Sequence, residues 1–479
     1  MAVFQDLDED ILLGVLKISD VYTVLSASRV NKLIHTLALS KPLWVALVED
    51  LIARCLLDAF SDPDFMDYSA PELREVVKRV MCGPTWTEDG STPVIHRQLS
   101  VESSDIIPNK TGSSWPAYVR LLPGGRFFTL EIYDGRLECW SVATGRCVWN
   151  YSQERRTGYV VDVLDGGMTA RFLLPGTLKD SFSIVQVDLM TGVSYEVFRM
   201  PRKDEIRWWT DSDALLSGDF VILTVHIHGS WVVLLINWKE GMYVNFHQTL
   251  TVPGMAVVLG HVILTTATLD PPYRPVLLVY TLASLAAYWR PLADWCPLSI
   301  PAFDLHRIQQ GCGIVPALVE NPGATEGWQV AAEGVRLASQ GMRLAIRESP
   351  LRRETYALTF VICERGTFPP WDMCSINRYG FSPDPGAILV TYRISLSQHG
   401  LQLVQTSAVP TVPTCKARDV SYARYSVVKR RIEDIDLHRQ EGAEKRRLGP
   451  MAYESVHLSP SSGAVTALLD SSVSVSYYA

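Results

Sequence analysis

Gly311-Cys312-Gly313 opens like a loop that cradles a dinucleotide, where backbone N–H groups at a helix start would hold a pyrophosphate. Pro316 stands where the third glycine of that pattern belongs, so the fingerprint fails. His226 and His228 share one face of an expected strand and offer two imidazoles to a metal, yet no third ligand follows at suitable spacing. They read as ordinary strand histidines. No Walker loop, Gly-x-Ser-x-Gly elbow or His-Glu-x-x-His helix occurs, and 51 Asp and Glu make acidic pairs too common to single out an acid/base couple. The nine cysteines are scattered without a Cys-x-x-Cys pair, which points to buried reduced thiols rather than a disulfide framework or zinc ribbon. The expectation is a protein that is not an enzyme and uses no cofactor and no metal.

Charge narrows the partners. A net charge of −7 over 479 residues is mild and provides no concentrated basic surface, so nucleic acid is not expected as a partner. Lys429-Arg430-Arg431 and Lys445-Arg446-Arg447 resemble a two-part nuclear import signal, but Glu433, Asp434, Asp436, Glu441 and Glu444 dilute them, and a solvated loop is the preferred reading. The acidic N-terminus lacks a basic flank followed by an apolar core. The most apolar window, Leu215 to Trp238, is interrupted by Gly218, Asp219, His226, His228 and Gly229 and reads as two buried strands and a turn, with no membrane span. Cytoplasmic and/or nuclear placement is therefore expected. The glycosylation-type triplets at Asn109 and Asn150 are then read as unmodified.

Apolar residues at the N-terminus carry the other candidate chemistry, which is association. Ile11, Leu12, Val15 and Leu16 have helical spacing, and Asp8, Glu9 and Asp10 crowd a first turn where carboxylates favour the positive end of the helix dipole. A helix is expected to start near Asp8. A second set, Val21, Val24, Leu25 and Ala27, runs on into Val30, Leu33, Ile34 and Leu37 with polar residues interleaved. About 45 residues build only a small core, so such a module commonly leaves an apolar face for a partner.

Leu7 at the entry, Ile11 with Val15 and Leu16, Val30-Asn31-Lys32, and Pro42-Leu43-Trp44 together resemble the F-box family. The family usually shows Leu-Pro at the entry and Val-Cys-Lys in the middle, where this chain has Asp8 and Asn31. The resemblance implies docking on the Skp-type adaptor of a cullin ubiquitin ligase, with Leu7, Ile11, Val15, Leu25 and Trp44 at the contact or in the core that shapes it. A plain helical cap packed on the next domain is the competing reading.

The elements around this module follow from pattern. The F-box-like module is placed at residues 3–50, a helical linker and boundary at 51–92, and a propeller at 93–479. A helix is expected from Pro42 to Phe60, with Leu43, Leu47, Leu51 and Ile52 on its apolar face. Ser69 and Glu72 are spaced as a capping box around Pro71, ahead of the stripe Leu73, Val76, Val77 and Val80, and Gly83-Pro84 stops that helix. Gly, Pro, Ser and Thr then dominate up to Pro116, with one strand expected near Thr92 to Val101.

Beyond that boundary a phrase repeats. Leu121 to Trp149 reads strand, turn, strand, Thr-Gly turn, strand, and the phrase recurs around Ser183 to Gly192 and Trp231 to Gly241. The turn glycines Gly145, Gly192 and Gly241 lie 47 and 49 residues apart, near the roughly 40 to 50 residues of WD and kelch repeats. Later units are expected at Val257 to Tyr280, Tyr356 to Cys363, Ala387 to Ile394 and Val456 to Tyr478, while 320–350 and 429–450 look irregular. The whole is expected to be mainly β, with about six to seven blades. The C-terminal hairpin is expected to pair with a strand from the region 93 to 130 and so close the ring.

This part is similar to the divergent WD-repeat-like propellers of fungal F-box proteins, although Trp140-Ser141 stands where the Trp-Asp signature belongs. The combined resemblance implies a substrate receptor that binds the Skp-type adaptor, and through it a cullin, while its propeller binds a client protein that the sequence does not name. A propeller scaffold outside ubiquitination, or a propeller hydrolase or lectin, is the alternative.

Overall fold

The computed structural model describes residues 7–58, 65, 67–82, 95–102, 118–131, 136–152, 159–175, 182–200, 207–208, 214–227, 230–248, 254–267, 275–295, 317–320, 342–362, 388–397, 400–410, 456–458, 464–468 and 472–478. Five helices come first: α1 (Glu9–Lys17), α2 (Val21–Ala27), α3 (Lys32–Ala38), α4 (Lys41–Ala53) and α5 (Ala70–Cys82). Side-chain caps set the boundaries of the middle pair. Asp20 accepts from the Thr23 N–H at 2.7 Å and Asn31 from the Ile34 N–H at 2.8 Å, each satisfying a helix-start donor that has no partner within the helix. Asn31, one of the departures from the F-box pattern, is thus the N-cap of α3.

Helix α4 ends at Ala53, short of the expected Phe60. Cys55 takes a left-handed φ of 54°, and the Leu56 N–H folds back onto the Leu51 carbonyl at 2.9 Å while the Cys55 N–H bonds Ile52. This is a Schellman stop with Cys in the place Gly usually holds, sealed by Leu51 and Leu56 in the same core. Helix α5 begins as its spacing predicts. The Glu72 carboxylate accepts from the Ser69 N–H at 2.7 Å and the Ser69 hydroxyl at 2.6 Å. Its stripe of Leu73, Val76, Val77 and Val80 joins Leu16, Val24, Ile34, Leu43, Trp44 and Leu47 in one core, so α5 and the segment around Leu56 and Leu57 pack as part of the same helical unit as residues 7–50.

The rest is antiparallel sheet. Among the described residues there are six sheets. The first runs Tyr118–Leu121, Phe127–Glu131, Arg136–Ser141, Cys147–Ser152, and the second Val160–Leu164, Thr169–Pro175, Phe182–Asp188, Ser194–Arg199. The third has Ala214–Ser217, Phe220–Ile227, Ser230–Asn237 and Met242–Gln248, with the two-residue strands Arg207–Trp208 and Arg290–Pro291 at its sides. Three strands thus occupy the window read as two. The fourth holds Met255–Val258, His261–Ala267, Pro275–Thr281 and Leu318–Glu320, and the fifth Met342–Glu348, Thr355–Ile362, Ile388–Ser397 and Gly400–Pro410. The stretch 320–350, expected to be irregular, contributes the fifth sheet's first strand.

The sixth sheet closes the chain on itself. Val456–Leu458, Val465–Leu468 and Ser472–Tyr478 form its first three strands, and Ile95–Glu102 pairs with the last of them, Leu99 opposite Val475. The expected closing pair is present, and it leaves the C-terminal strand hydrogen-bonded on both sides. Apolar side chains fill the seams between sheets: Leu130 and Trp140 against Val473 and Val475, Trp149 against Phe172, Ile184 against Leu223, Val244 against Leu278, Leu277 against Tyr392. The first strands of the first and sixth, second and third, third and fourth, and fourth and fifth sheets lie beside one another, as inner strands around a common axis do. Sequential four-stranded meanders packed seam to seam and closed by the first strand make up the arrangement of a β-propeller.

Candidate functional site

Amphipathic spacing in α1 and α2 sorts the N-terminal apolar residues into two populations. Leu12 and Leu16 of α1 and Val21 and Val24 of α2 point into the core. Ile11, Val15 and Ile18 form a stripe along the other side of α1 and are 54%, 43% and 72% exposed, while Tyr22 and Leu25, one turn apart on α2, are exposed beside them. Leu7 stands exposed just before α1. Of the five residues singled out from sequence, Leu7, Ile11, Val15 and Leu25 therefore lie on the surface, and Trp44 lies in the core. The Trp44 indole N–H donates to the Ala38 carbonyl at 2.8 Å, tying α4 to the end of α3.

Ile18, Tyr22, Val30 and Leu39 were not singled out, yet all are exposed large apolar residues. Ile18 and Tyr22 carried a legible signal, since they continue the spacing of Val15 and precede Leu25 by one turn. Across the described residues, eight of the 14 exposed large apolar side chains fall between Leu7 and Leu39. Contiguous exposed apolar surface is the kind of feature that association can use.

The module is seated on the turns between first and second strands of three sheets. Gly125, at φ 69°, lies so close to Asp58 that a Cβ there would run into the Asp58 side chain, and Gly166 sets its backbone against Ala53. Glycines at these turns let helix backbone approach sheet backbone. On the fifth sheet the seat is polar. Arg54 donates to Glu348 at 2.9 Å, to the Ser349 carbonyl at 2.6 Å and to Asp50 at 3.1 Å, while Arg353 bonds Asp50 at 2.7 Å and the Ile18 carbonyl at 2.8 Å. The Tyr22 N–H donates to the Leu351 carbonyl at 2.9 Å, and the Leu351 side chain packs against the helical core.

Burial pushes the Cys55 thiol up to about 11, and the nearby Asp58 charge adds to this, so the thiol stays protonated and a poor nucleophile. Burial also raises the Asp162 carboxyl, opposed by the Gly218 N–H that it accepts at 2.9 Å. Among the described residues, no three His, Cys, Asp or Glu side chains come together to hold a metal ion, and no helix is long and apolar enough to cross a membrane. His226 sits on the Phe220–Ile227 strand opposite Trp231. His228, Gly311 to Gly313, Asn109 and the two basic clusters lie outside the described residues. What the described arrangement can do chemically is bind through apolar contact.

No protein-family model and no curated protein sequence matches the chain. Solved structures do. The β-propeller domain of Cps50 (Swd1) from Myceliophteria thermophila is 11% identical with a TM-score of 0.33, covering 80% of this chain and 100% of that one. The structure of U3-55K is 8% identical with a TM-score of 0.32, covering 81% and 100%. BamB from Moraxella catarrhalis is 11% identical with a TM-score of 0.28, covering 82% and 81%. Likeness at this level says nothing of activity or partners.

Proposed function

We propose that this chain is the substrate receptor of a Skp-cullin-F-box type ubiquitin ligase, with the helical module docking on the Skp-type adaptor and the propeller holding a client protein. One observation carries the reading: eight exposed large apolar side chains fall between Leu7 and Leu39, four of them on α1 and α2 and four at helix ends and connections, while the other faces of these helices join the core shared with α4 and α5. A buried surface of this kind drives association by removing apolar area from water. The F-box-like positions Leu7, Ile11, Val15 and Leu25 lie among those eight, and Trp44 shapes the core beneath them. Ubiquitin transfer would then follow from proximity, because holding a client lysine near a charged conjugating enzyme raises its effective concentration without a nucleophile on the receptor.

A second reading, a propeller scaffold outside ubiquitination, has support from the seat itself. Helices bonded to the first turn of the fifth sheet through Arg54, Arg353 and Tyr22 brace the propeller whether or not an adaptor binds. Affinity purification of the full chain, with ubiquitin transfer blocked, separates the two. The receptor reading expects a Skp-type adaptor and a cullin with the wild-type chain and neither with the Ile11→Asp/Leu25→Asp variant, which alters exposed positions only. A wild-type chain that brings down no such adaptor overturns the receptor reading in favour of the scaffold.

A further inference from the structure

The fifth sheet does more than seat the helices. Its turn at 349–354 reaches the edge of the exposed apolar face, where the Arg352 guanidinium lies over the Tyr22 ring at 3.6 Å from the centroid. Tyr22 is itself one of the exposed apolar side chains of that face, and its backbone is held by the Leu351 carbonyl one residue before Arg352. Arg353, next in line, is consumed by Asp50 and the Ile18 carbonyl. Arg352 is half-buried and makes no ion pair with any carboxylate among the described residues, so its charge stands beside Tyr22 without a carboxylate there to neutralise it.

We infer that the docking surface is composite: the propeller supplies Arg352 to the helical face, and the partner meets the pair with an apolar surface bordered by a carboxylate. The inference rests on the receptor reading, which names that partner as the Skp-type adaptor, and it adds the partner's chemistry and a condition for binding. A guanidinium spread over an aromatic ring is weakly hydrated and pre-oriented, so it pairs with an incoming carboxylate at little further ordering cost. The turn also fixes the junction between α1 and α2, because Ile18 and Tyr22 at its two ends are both bonded to it through their backbones. A chain whose fifth sheet is unfolded would lack the cation and the fixed junction together. The adaptor would then recruit only receptors whose propeller is built.

The test uses the full chain and a recombinant Skp-type adaptor. Arg352→Ala is expected to weaken binding about tenfold, and Arg352→Glu on the order of a hundredfold by adding repulsion, with both melting as the wild type does. Wild-type affinity should fall with added salt more steeply than that of Arg352→Ala. Lys239→Glu, the same charge reversal on a turn of the third sheet, should leave affinity unchanged. Hydrogen exchange on the wild-type complex should show new protection at 349–354 as well as in α1 and α2. Protection confined to the helices, or wild-type affinity in Arg352→Glu, overturns the composite surface and leaves the receptor reading standing. A wild-type chain with no affinity for the adaptor overturns both.

Discussion

The helical module and the sheets treat apolar side chains in opposite ways. The first four sheets are each covered on both faces by a neighbour, and strands such as Phe127–Glu131 are buried along their whole length. Among the described residues, the sheets leave six large apolar residues exposed, Met190, Val193 and Tyr195 at one hairpin of the second sheet, Val319 on the fourth, and Leu396 and Val404 on the fifth. In the module a single core serves five helices, and α1 and α2 each leave two of five apolar side chains on the outside. A ring can bury both faces of every sheet because it has no end, whereas a small bundle cannot. The exposed face of the module is the feature on which the proposed association rests.

The largest effect expected from this contrast is loss of the ring's closure. Removing residues 472–479 takes out the strand that bonds Ile95–Glu102 on one side and Val465–Leu468 on the other, together with Val473, Val475 and Tyr477, whose hydroxyl donates to the Gly125 carbonyl at 3.0 Å. Two strand edges and an apolar seam would be opened at once. The truncated chain is expected to aggregate and to lose cooperative melting in calorimetry. A soluble chain with one sharp transition would show that the seams alone hold the sheets.

Next comes the module's own division into core and face. Trp44→Ala should cost about 3 to 5 kcal/mol, the loss of a buried aromatic plus an orphaned Ala38 carbonyl. Ile11→Asp on the exposed stripe should change stability by about 0.5 kcal/mol or less. Denaturant melts of the two variants check the pair, and comparable losses would mean that Ile11 belongs to the core. Among the sheets, the repeat glycines offer a finer contrast. Gly241→Ala faces open space and only the left-handed strain of φ 65°, about 1 to 2 kcal/mol. Gly192→Ala adds a clash with the Val148 carbonyl of the first sheet and should cost about 3 kcal/mol. Equal melting temperatures would show that the second sheet's turn yields without disturbing its neighbour.

These glycines also show what the sequence made legible. Gly145, Gly192 and Gly241 all adopt positive φ at the turn before the outer strand of their sheets, so a spacing of fewer than fifty residues reported a real structural period. Local signals such as Ser69 with Glu72, or Asp8 ahead of α1, are carried by neighbours in sequence and were readable for that reason. The end of α4 was not, because Leu56 and Leu57 continue the apolar pattern while the chain turns at Cys55, a residue type with no preference for a left-handed φ. The seat on the fifth sheet was beyond reach altogether. Arg54 meets Glu348 across 294 positions, and nothing near either residue announces the other. The same holds for Arg352 at Tyr22, which is why four exposed candidates were found and the cation beside them was not. The division at residue 50 shows the same limit. It falls inside α4, whose core partners include α5, so a cut there would damage the module as well as remove its face.

The smallest expected effect lies at the start of α5 and tests whether the module's stability is sensitive to its exposed caps. Glu72 is solvent-exposed, and the Ser69 hydroxyl and then the Ser69 N–H hold its carboxyl below the usual carboxylate range. A lowered pKa in the folded chain means that the fold favours the ionised form, so the stabilising contribution is present above the unfolded pKa and is lost as pH falls through the folded one. Wild type and Glu72→Ala should therefore differ slightly in melting temperature at neutral pH and converge in acid. Glu72→Gln keeps an acceptor for Ser69 without the charge, and its small deficit should not depend on pH. Because α5 packs through Leu73 and Val76 against α4, the deficit should appear in the unfolding of the helices. A gap between wild type and Glu72→Ala that persists unchanged into acid would assign the effect to helix propensity instead of the charged cap.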